Sequence, residues 1–149
     1  MTLALPTTPG IYGLIFWLSQ DCHTRIGRLG TYNFPAGWYG YWGSAHGPGG
    51  IAARVRHHLS LAARPHWHLD FLRPYGHIKA VLFETGSDRL ECPWVHQVLT
   101  FPSAQVLVYG FGSQDCSQNC PAHLIYFGAS FDLHALTKHL GNPRIIFIN

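Results

Sequence analysis

Apolar runs separated by turn-forming residues predict a chain with several short strands. Residues 10–19 are apolar, β-branched and aromatic and follow a proline, which is typical of a buried strand. Residues 24–29 are predicted to pair with this strand as a hairpin, and the aromatic residues of 37–43 predict another strand. Later strands are predicted at 77–84, 106–109, 123–127 and 144–148.

Helices are predicted between these strands by a second pattern, in which apolar residues recur every three or four positions. The stripe that follows the glycine-rich stretch 43–50 consists of Ile51, Val55, Leu59 and Ala62. Further helices are predicted between Pro65 and Pro74, over 90–101 and over 132–140. Early hairpin strands mixed with helices favour an α+β sandwich over a doubly wound parallel sheet.

The composition indicates one packed globular domain. The chain has 149 residues and a mass of 16.7 kDa, which predicts a single domain over 1–149. Hydrophobic residues make up 47% and charged residues only 11%, which excludes a disordered tail or a coiled coil. No apolar run approaches the ~20 residues of a membrane span, and the first residues do not resemble a signal peptide. We therefore expect a cytoplasmic protein without a membrane partner.

The charge permits an anionic partner. Ten Lys and Arg residues against seven Asp and Glu residues give a net charge of +3, and eleven histidines would add positive charge below neutral pH. Nucleic acid is compatible with this charge but is not required by it. Without an export signal, the four cysteines are expected to be reduced thiols or metal ligands.

Arg54 and His58 lie four residues apart on the first predicted helix and therefore share one face, at the rim of the core. The preceding glycine-rich stretch leads into the helix N-terminus, where free backbone N–H groups favour an anion such as phosphate. In the alternative interpretation, which spacing alone favours, Arg54 and His58 are solvated polar residues of an amphipathic helix.

Two tyrosines and one glutamate add candidate chemistry. Tyr12 and Tyr41 lie on predicted strands, and a hydroxyl that reaches a cleft can orient water or share its proton. The alternative is that both are core aromatic residues. Glu91 stands three residues after Asp88 near the start of a predicted helix, a spacing that fits a capping box. Glu91 could equally hold Mg²⁺ together with waters and substrate oxygens.

The order of these residues resembles that of the GIY-YIG nuclease family. Residues 10–12 (Gly-Ile-Tyr) match the first motif, and residues 41–45 (Tyr-Trp-Gly-Ser-Ala) are similar to the second, with Trp42 in place of the usual aliphatic residue. Residues 54–58 are similar to the family's Arg-then-His helix, and Glu91 falls where the family has its metal-binding glutamate. The resemblance is closest to a branch of small stand-alone proteins, sometimes fused to endonuclease III-like repair enzymes, which carry stretches similar to 66–70 and 110–124.

This resemblance implies a fold and an activity. The expected fold is a central, mainly antiparallel sheet flanked by helices and extended by C-terminal strands, and the expected activity is a metal-dependent endonuclease in DNA repair or recombination. The implied catalytic residues are Tyr12 as general base, Tyr41 and His58 to position water or phosphate, Arg54 to stabilise charge, and Glu91 to bind one Mg²⁺ or Mn²⁺. Further contacts to nucleic acid, with DNA ahead of RNA, are expected from Ser44, Arg56, His57, His66 and His68. A protein partner is a further expectation.

Two alternatives stay open. The first is a catalytically weak or inactive nucleic-acid-binding module with the same fold, which would use arginines and aromatic residues for phosphate and base contacts.

The second concerns the loop in which Cys116, Cys120 and His123 have a spacing within the range of zinc ligands, with Asp115 adjacent. Ordinary thiols in a loop are favoured there, because neighbouring residues rarely fill a tetrahedral site alone. The same loop, with His66 and Asp70, could instead border the nuclease cleft.

Overall fold

The computed structural model describes residues 4–60, 64–86, 91–113 and 120–148, without the side chains of Glu91 and Cys92. In chain order the elements are the strands β1 (Gly10–Leu18), β2 (Cys22–Ile26), β3 (Gly30–Phe34) and β4 (Gly37–Ala45), the helices α1 (Gly50–Leu59) and α2 (His68–Leu72), the strand β5 (Gly76–Thr85), the helix α3 (Glu91–Val98), the strand β6 (Leu124–Gly128), the helix α4 (Leu133–His139) and the strand β7 (Arg144–Phe147). A short 3-10 helix, Arg73–Tyr75, joins α2 to β5.

The centre of the fold is a five-stranded antiparallel sheet with the order β6-β4-β1-β5-β7. The strands β2 and β3 form a separate antiparallel hairpin. The predicted α+β class is therefore confirmed. The two C-terminal strands, β6 and β7, extend the sheet at its opposite edges.

Two of the strand predictions are wrong. One segment pairs with a different strand, and the other forms no strand. The segment predicted at 24–29 does not pair with β1, because the chain turns at Gly27, where φ is +49°, and runs back as β3. The segment 106–109 forms no strand, and only its neighbour Gln105 makes an isolated bridge to Tyr126. Ala62, the last residue of the predicted helical stripe, lies outside the described residues.

Each face of the sheet carries its own apolar core, because alternate side chains of a strand point to opposite faces. On one face, Tyr12 and Leu14 of β1 belong to the same buried cluster as Ile51 and Val55 of α1. That cluster also includes buried residues of α2 and of the β2–β3 hairpin. On the other face, Trp42 joins a second cluster with residues of α3 and α4. The helix α1 therefore lies over the same face of β1 and β4 as both candidate tyrosines. Within the residues described above, no helix has the length and apolar character needed to cross a membrane.

Candidate functional site

The pairing of β1 with β4 brings the two candidate tyrosines together. Tyr12 pairs with Gly43 and Tyr41 pairs with Leu14. Because residues two apart on a strand share a face, the two tyrosines are diagonal neighbours on one face of the sheet. Both rings are buried, with 1% of Tyr12 and 4% of Tyr41 exposed.

His58 of α1 lies directly over these tyrosines. Its Nε2 is 3.0 Å from the hydroxyl oxygen of Tyr12, and its ring meets the Tyr41 ring edge-on with centroids 5.7 Å apart. His58 is fully buried, so the prediction that it sits at the rim of the core is wrong. Arg73 holds this end of α1, because its guanidinium donates to the carbonyl oxygens of His58 at 2.7 Å and of Leu59 at 3.2 Å.

Arg54 lies one helical turn before His58 and stacks on an aromatic ring. The Arg54 Cζ is 4.1 Å from the centroid of the Trp67 ring, which also contacts His58 with ring centroids 5.4 Å apart. Arg54 and His58 therefore share one face of α1, as predicted. Stacking of a guanidinium on tryptophan is a favourable cation–π contact that also limits the orientations of the arginine.

The two tyrosines, Arg54 and Trp67 border a cleft of about 450 Å³. The residues that line it are Tyr12, Tyr41, Gly43, Ser44, His46, Gly47, Arg54, Trp67, Gly112 and His123. None of these described lining residues is acidic, and Arg54 brings a permanent positive charge. The cleft therefore suits an anionic ligand that also offers a flat or apolar surface to Trp67.

The start of α1 does not offer the anion site that the sequence predicts. The backbone N–H of Ile51 donates to the carbonyl of Thr8 at 3.1 Å, and that of Ala52 donates to Pro6 at 2.8 Å. The segment before β1 therefore satisfies N–H groups that are free at the start of an isolated helix. The positive charge of the cleft comes from Arg54 and not from these two amides.

Burial sets the protonation states around the Tyr12–His58 contact. Burial lowers the pKa of His58 from its usual value, and the opposing effect of the nearby Asp70 carboxylate does not compensate. Burial and the neighbouring Tyr12 raise the pKa of Tyr41 well above its usual range. At neutral pH the site therefore holds a neutral imidazole beside a neutral Tyr41, and the imidazole can accept a proton.

The comparison with protein families decides the membership of the chain. A family model described as Domain of unknown function DUF123 matches residues 11–144. The chain belongs to the DUF123 family. The matched segment contains Tyr12, Tyr41, Arg54 and His58. No curated protein and no solved structure matches the chain.

The five residues that are predicted to contact nucleic acid have different surroundings in this DUF123 domain. Ser44 lines the cleft. His66 is exposed and contacts the Trp67 ring. The prediction that His66 lies on the helix is wrong, because α2 begins at His68. His57 contacts Asp70, and His68 accepts the backbone N–H of Gly112 at 2.7 Å, so both rings are engaged within the protein.

Arg56, the fifth predicted contact, is exposed and differs from Arg54 in its position on α1. Arg56 is two residues after Arg54, so its side chain leaves the helix roughly 200° around the axis from that of Arg54. It is not among the described residues that line the cleft. The predicted contact of Arg56 with nucleic acid therefore stays a prediction, at a position outside the described lining of the cleft.

The predicted metal ligands lie partly outside the described residues. Glu91 begins α3, but its side chain is not described, and Asp88, Asp115 and Cys116 are also outside. For the zinc alternative, Cys120 is buried, and its Sγ donates to the Ala122 carbonyl at 3.6 Å. His123, its predicted companion, lines the cleft.

The sequence singled out Asp70 only as a residue that could border the cleft, and it did not single out Trp67. Asp70 places one oxygen 2.9 Å from His57 Nε2 and the other 3.4 Å from His58 Nδ1. Burial alone would raise the pKa of Asp70, but its contacts with His58, His57 and two backbone amides hold that pKa well below its usual range. Ligand atoms of His57, His58 and Asp70 lie within 4.8 Å of one another, a group that could also hold a metal ion. The stretch 66–70 was a signal for these two residues, because it is similar to a stretch in the family branch that the sequence resembles. Local spacing does not show, however, that this stretch packs against α1.

Proposed function

We propose that this DUF123 domain is a metal-dependent endonuclease of the cytoplasm that hydrolyses phosphodiester bonds in nucleic acid, with DNA ahead of RNA as its substrate. The observation that carries the proposal is the 3.0 Å contact between the buried His58 Nε2 and the hydroxyl of Tyr12, which lines a cleft together with Tyr41 and Arg54. The resemblance of these four residues to the GIY-YIG motifs supports the same assignment. DNA repair or recombination is the corresponding cellular role.

The Tyr12–His58 pair supplies a route for one proton. Hydrolysis forms a bond between the oxygen of water and phosphorus and breaks the bond between phosphorus and the leaving oxygen. The Tyr12 hydroxyl passes its proton to the neutral His58 ring and takes the proton of the attacking water, while the leaving oxygen takes a proton from solvent. General base catalysis of this kind contributes about 10²- to 10⁴-fold to a rate.

Arg54 and Tyr41 act on the phosphate. The Arg54 guanidinium is held against Trp67 beside the cleft, where it can stabilise the negative charge that develops on the phosphate oxygens. Because burial raises the pKa of Tyr41, its hydroxyl stays protonated and can donate a hydrogen bond to phosphate or water. Neither group needs to change its protonation state during the reaction.

The metal is assigned to Glu91 from the resemblance. A carboxylate oxygen is a ligand that Mg²⁺ and Mn²⁺ prefer, and one carboxylate together with waters and substrate oxygens is sufficient to hold such an ion. When bound, such an ion lowers the pKa of a coordinated water and stabilises charge on the phosphate.

The test is cleavage of labelled single-stranded, duplex, flapped and four-way-branched DNA and RNA, with Mg²⁺, Mn²⁺ or chelator. We expect metal-dependent cleavage that is lost in Glu91→Gln and falls by about 10²-fold or more in Tyr12→Phe. Glu84→Gln is the matched control, because Glu84 is an exposed carboxylate at the end of β5. Binding without cleavage by the unmodified protein, unchanged in Glu91→Gln, would contradict the enzyme and favour the binding module.

A further inference from the structure

We propose that Asp70 is the positioning residue of this site, which holds the proton of the neutral His58 ring on Nδ1 so that Nε2 is free to accept the proton of Tyr12. The inference rests on the proposed function, because it assigns a role in proton transfer. It concerns a residue that the motifs do not include, located on α2 and not on α1 or the sheet.

The geometry on the two sides of the His58 ring carries this assignment. Nε2 faces the Tyr12 hydroxyl at 3.0 Å, and Nδ1 faces the nearer carboxylate oxygen of Asp70 at 3.4 Å. The ring is fully buried, and its Nδ1 forms no hydrogen bond among the described residues, so the Asp70 oxygen at 3.4 Å is a charge contact on that side of the ring. The two nitrogens therefore meet two chemically different groups, a hydroxyl on one side and a carboxylate on the other.

The identity of these two groups selects one form of the ring. A neutral imidazole carries one proton, on either nitrogen. With the proton on Nδ1, the N–H lies on the side of the ring where the carboxylate is, and Nε2 presents a lone pair to Tyr12. With the proton on Nε2, the lone pair of Nδ1 would face the negative carboxylate in a buried site, which is unfavourable. The first form is also the one that base catalysis through Tyr12 requires.

Asp70 is itself fixed in place by several donors. Its Oδ2 accepts the backbone N–H groups of His66 at 2.8 Å and Trp67 at 2.9 Å. The His57 Nε2 lies 2.9 Å from the same oxygen and must donate, because an ionised carboxylate only accepts. These contacts leave Oδ1 directed toward His58. The carboxylate is therefore oriented before any substrate binds, as an efficient positioning residue must be.

A metal ion at His57, His58 and Asp70 is the competing interpretation of the same cluster. Such an ion would take the Nδ1 lone pair of His58, so that the ring proton would sit on Nε2. It would also displace the His57 contact to Asp70 Oδ2, an oxygen that already accepts from two backbone amides. The hydrogen-bonded cluster needs no such displacement, and the two interpretations place the His58 proton on opposite nitrogens.

The decisive measurement is nitrogen NMR of protein labelled with ¹⁵N-histidine, compared between the unmodified chain and Asp70→Asn. His58→Gln identifies the signals of the His58 ring by their loss. We expect Nδ1 to be protonated and Nε2 unprotonated in the unmodified protein, and the proton to move at least partly to Nε2 in Asp70→Asn. A proton on Nε2 in the unmodified protein would overturn the proposal, as would stoichiometric metal bound by this cluster in the purified protein.

Cleavage of the best substrate is measured on the same variants. Loss of a tautomer-fixing carboxylate lowers kcat by about 10⁴-fold in the serine protease triad, so we expect Asp70→Asn to lose about 10²- to 10⁴-fold in kcat with little change in KM. Asp132→Asn is the matched control, because Asp132 likewise accepts a backbone amide at a helix start, but it is the residue that precedes α4. Full activity of Asp70→Asn would overturn the proposal.

The two measurements separate this inference from the nuclease assignment. If the unmodified protein cleaves nothing, the proposed function fails, while the position of the His58 proton still tests the structural part of the inference. If the protein cleaves and Asp70→Asn keeps both its activity and its tautomer, the role of Asp70 fails and the nuclease stands. Should Asp70→Asn not fold, the spectrum of the unmodified protein decides.

Discussion

Tyr12 and Gly43 face each other across β1 and β4, and a Cβ atom at residue 43 would lie 2.5 Å from the Tyr12 hydroxyl oxygen. That separation is far shorter than a van der Waals contact, so only glycine leaves room for the hydroxyl in its observed place. Gly43, in the second motif, therefore leaves the space that Tyr12, in the first motif, needs. The two motifs form one structural unit, because the strand register makes Gly43 the direct partner of Tyr12.

We predict that Gly43→Ala lowers kcat by about 10-fold or more, because the added methyl group moves the Tyr12 hydroxyl away from His58 Nε2 and weakens base catalysis. Single-turnover cleavage with saturating protein measures the effect. The control is a double-mutant cycle with Tyr12→Phe, in which no hydroxyl remains to be displaced. Equal losses for Gly43→Ala with and without the hydroxyl would contradict this explanation.

Local pattern was sufficient for the elements that hold the motifs. The run 10–19 and the aromatic segment 37–43 are correctly predicted as strands, because buried strands carry continuous apolar residues. The helical stripe after residue 50 likewise predicts α1 and the shared face of Arg54 and His58. These features depend on spacing within one element.

Long-range packing explains the errors and omissions. Nothing local shows that Asp70 on α2 packs against His58 on α1, or that Thr8 and Pro6 occupy backbone amides of α1. The segment 106–109 is rich in β-branched residues but makes its contacts without a partner strand, so propensity alone gave a false strand. Each of these features depends on parts of the chain that are far apart in sequence.

Arg54 and Arg56 offer a matched pair on one helix. We predict that Arg54→Ala lowers kcat by about 10²- to 10³-fold, because a preorganised positive group in the cleft is lost. Arg56→Ala should leave kcat within a few-fold of the unmodified protein, because this side chain is exposed and does not line the cleft. Its effect should be confined to the salt dependence of binding.

The same series checks the stacking of Arg54 on Trp67. Trp67→Leu keeps an apolar side chain but removes the aromatic face, so we expect a smaller loss of kcat than in Arg54→Ala. Equal kcat values for Arg54→Ala and Arg56→Ala would show that only total charge matters and would contradict the placement of Arg54.

The stability of the fold should depend on pH through His58. Burial lowers the pKa of His58 in the folded protein, whereas the unfolded chain has a value near ~6.5. Between these two values the unfolded chain binds more protons, so the free energy of unfolding falls as the pH is lowered below about 6.5, by at most about 1.4 kcal/mol per pH unit for this one group. The contribution of neutral His58 to the free energy of unfolding is therefore fully present above about pH 6.5.

Urea unfolding at a series of pH values measures this slope. We expect His58→Gln to flatten the slope between about pH 7 and pH 5, because the glutamine does not titrate in that range. The pKa of Asp70 is also lowered, but its contribution to stability is lost only at more acidic pH, below about 4. The two groups therefore act in separate windows. Identical slopes for His58→Gln and the unmodified protein would contradict the role assigned to His58.

Arg73 is predicted to stabilise the fold through the end of α1 that carries His58. Its guanidinium donates to the carbonyl oxygens of His58, Leu59 and Gly76 at 2.7, 3.2 and 2.8 Å. Two of these carbonyls belong to the last turn of α1, where a helix has no backbone donors of its own and favours a positive charge. Hydrogen bonds from a charged group contribute about 1.5–3 kcal/mol each, so Arg73→Met should lower the free energy of unfolding by about 2–4 kcal/mol.

Arg73→Lys and Arg28→Met make this prediction specific. Lysine keeps the charge but presents a single ammonium group, which cannot reproduce the planar fork that reaches α1 and β5 together, so Arg73→Lys should lose nearly as much stability as Arg73→Met. Arg28→Met removes an arginine that is exposed and should change the free energy of unfolding by less than about 0.5 kcal/mol. Urea unfolding measures all three variants. If Arg73→Lys were as stable as the unmodified protein, charge alone would explain the effect, and the directed hydrogen bonds to the end of α1 would not be what holds His58 in place.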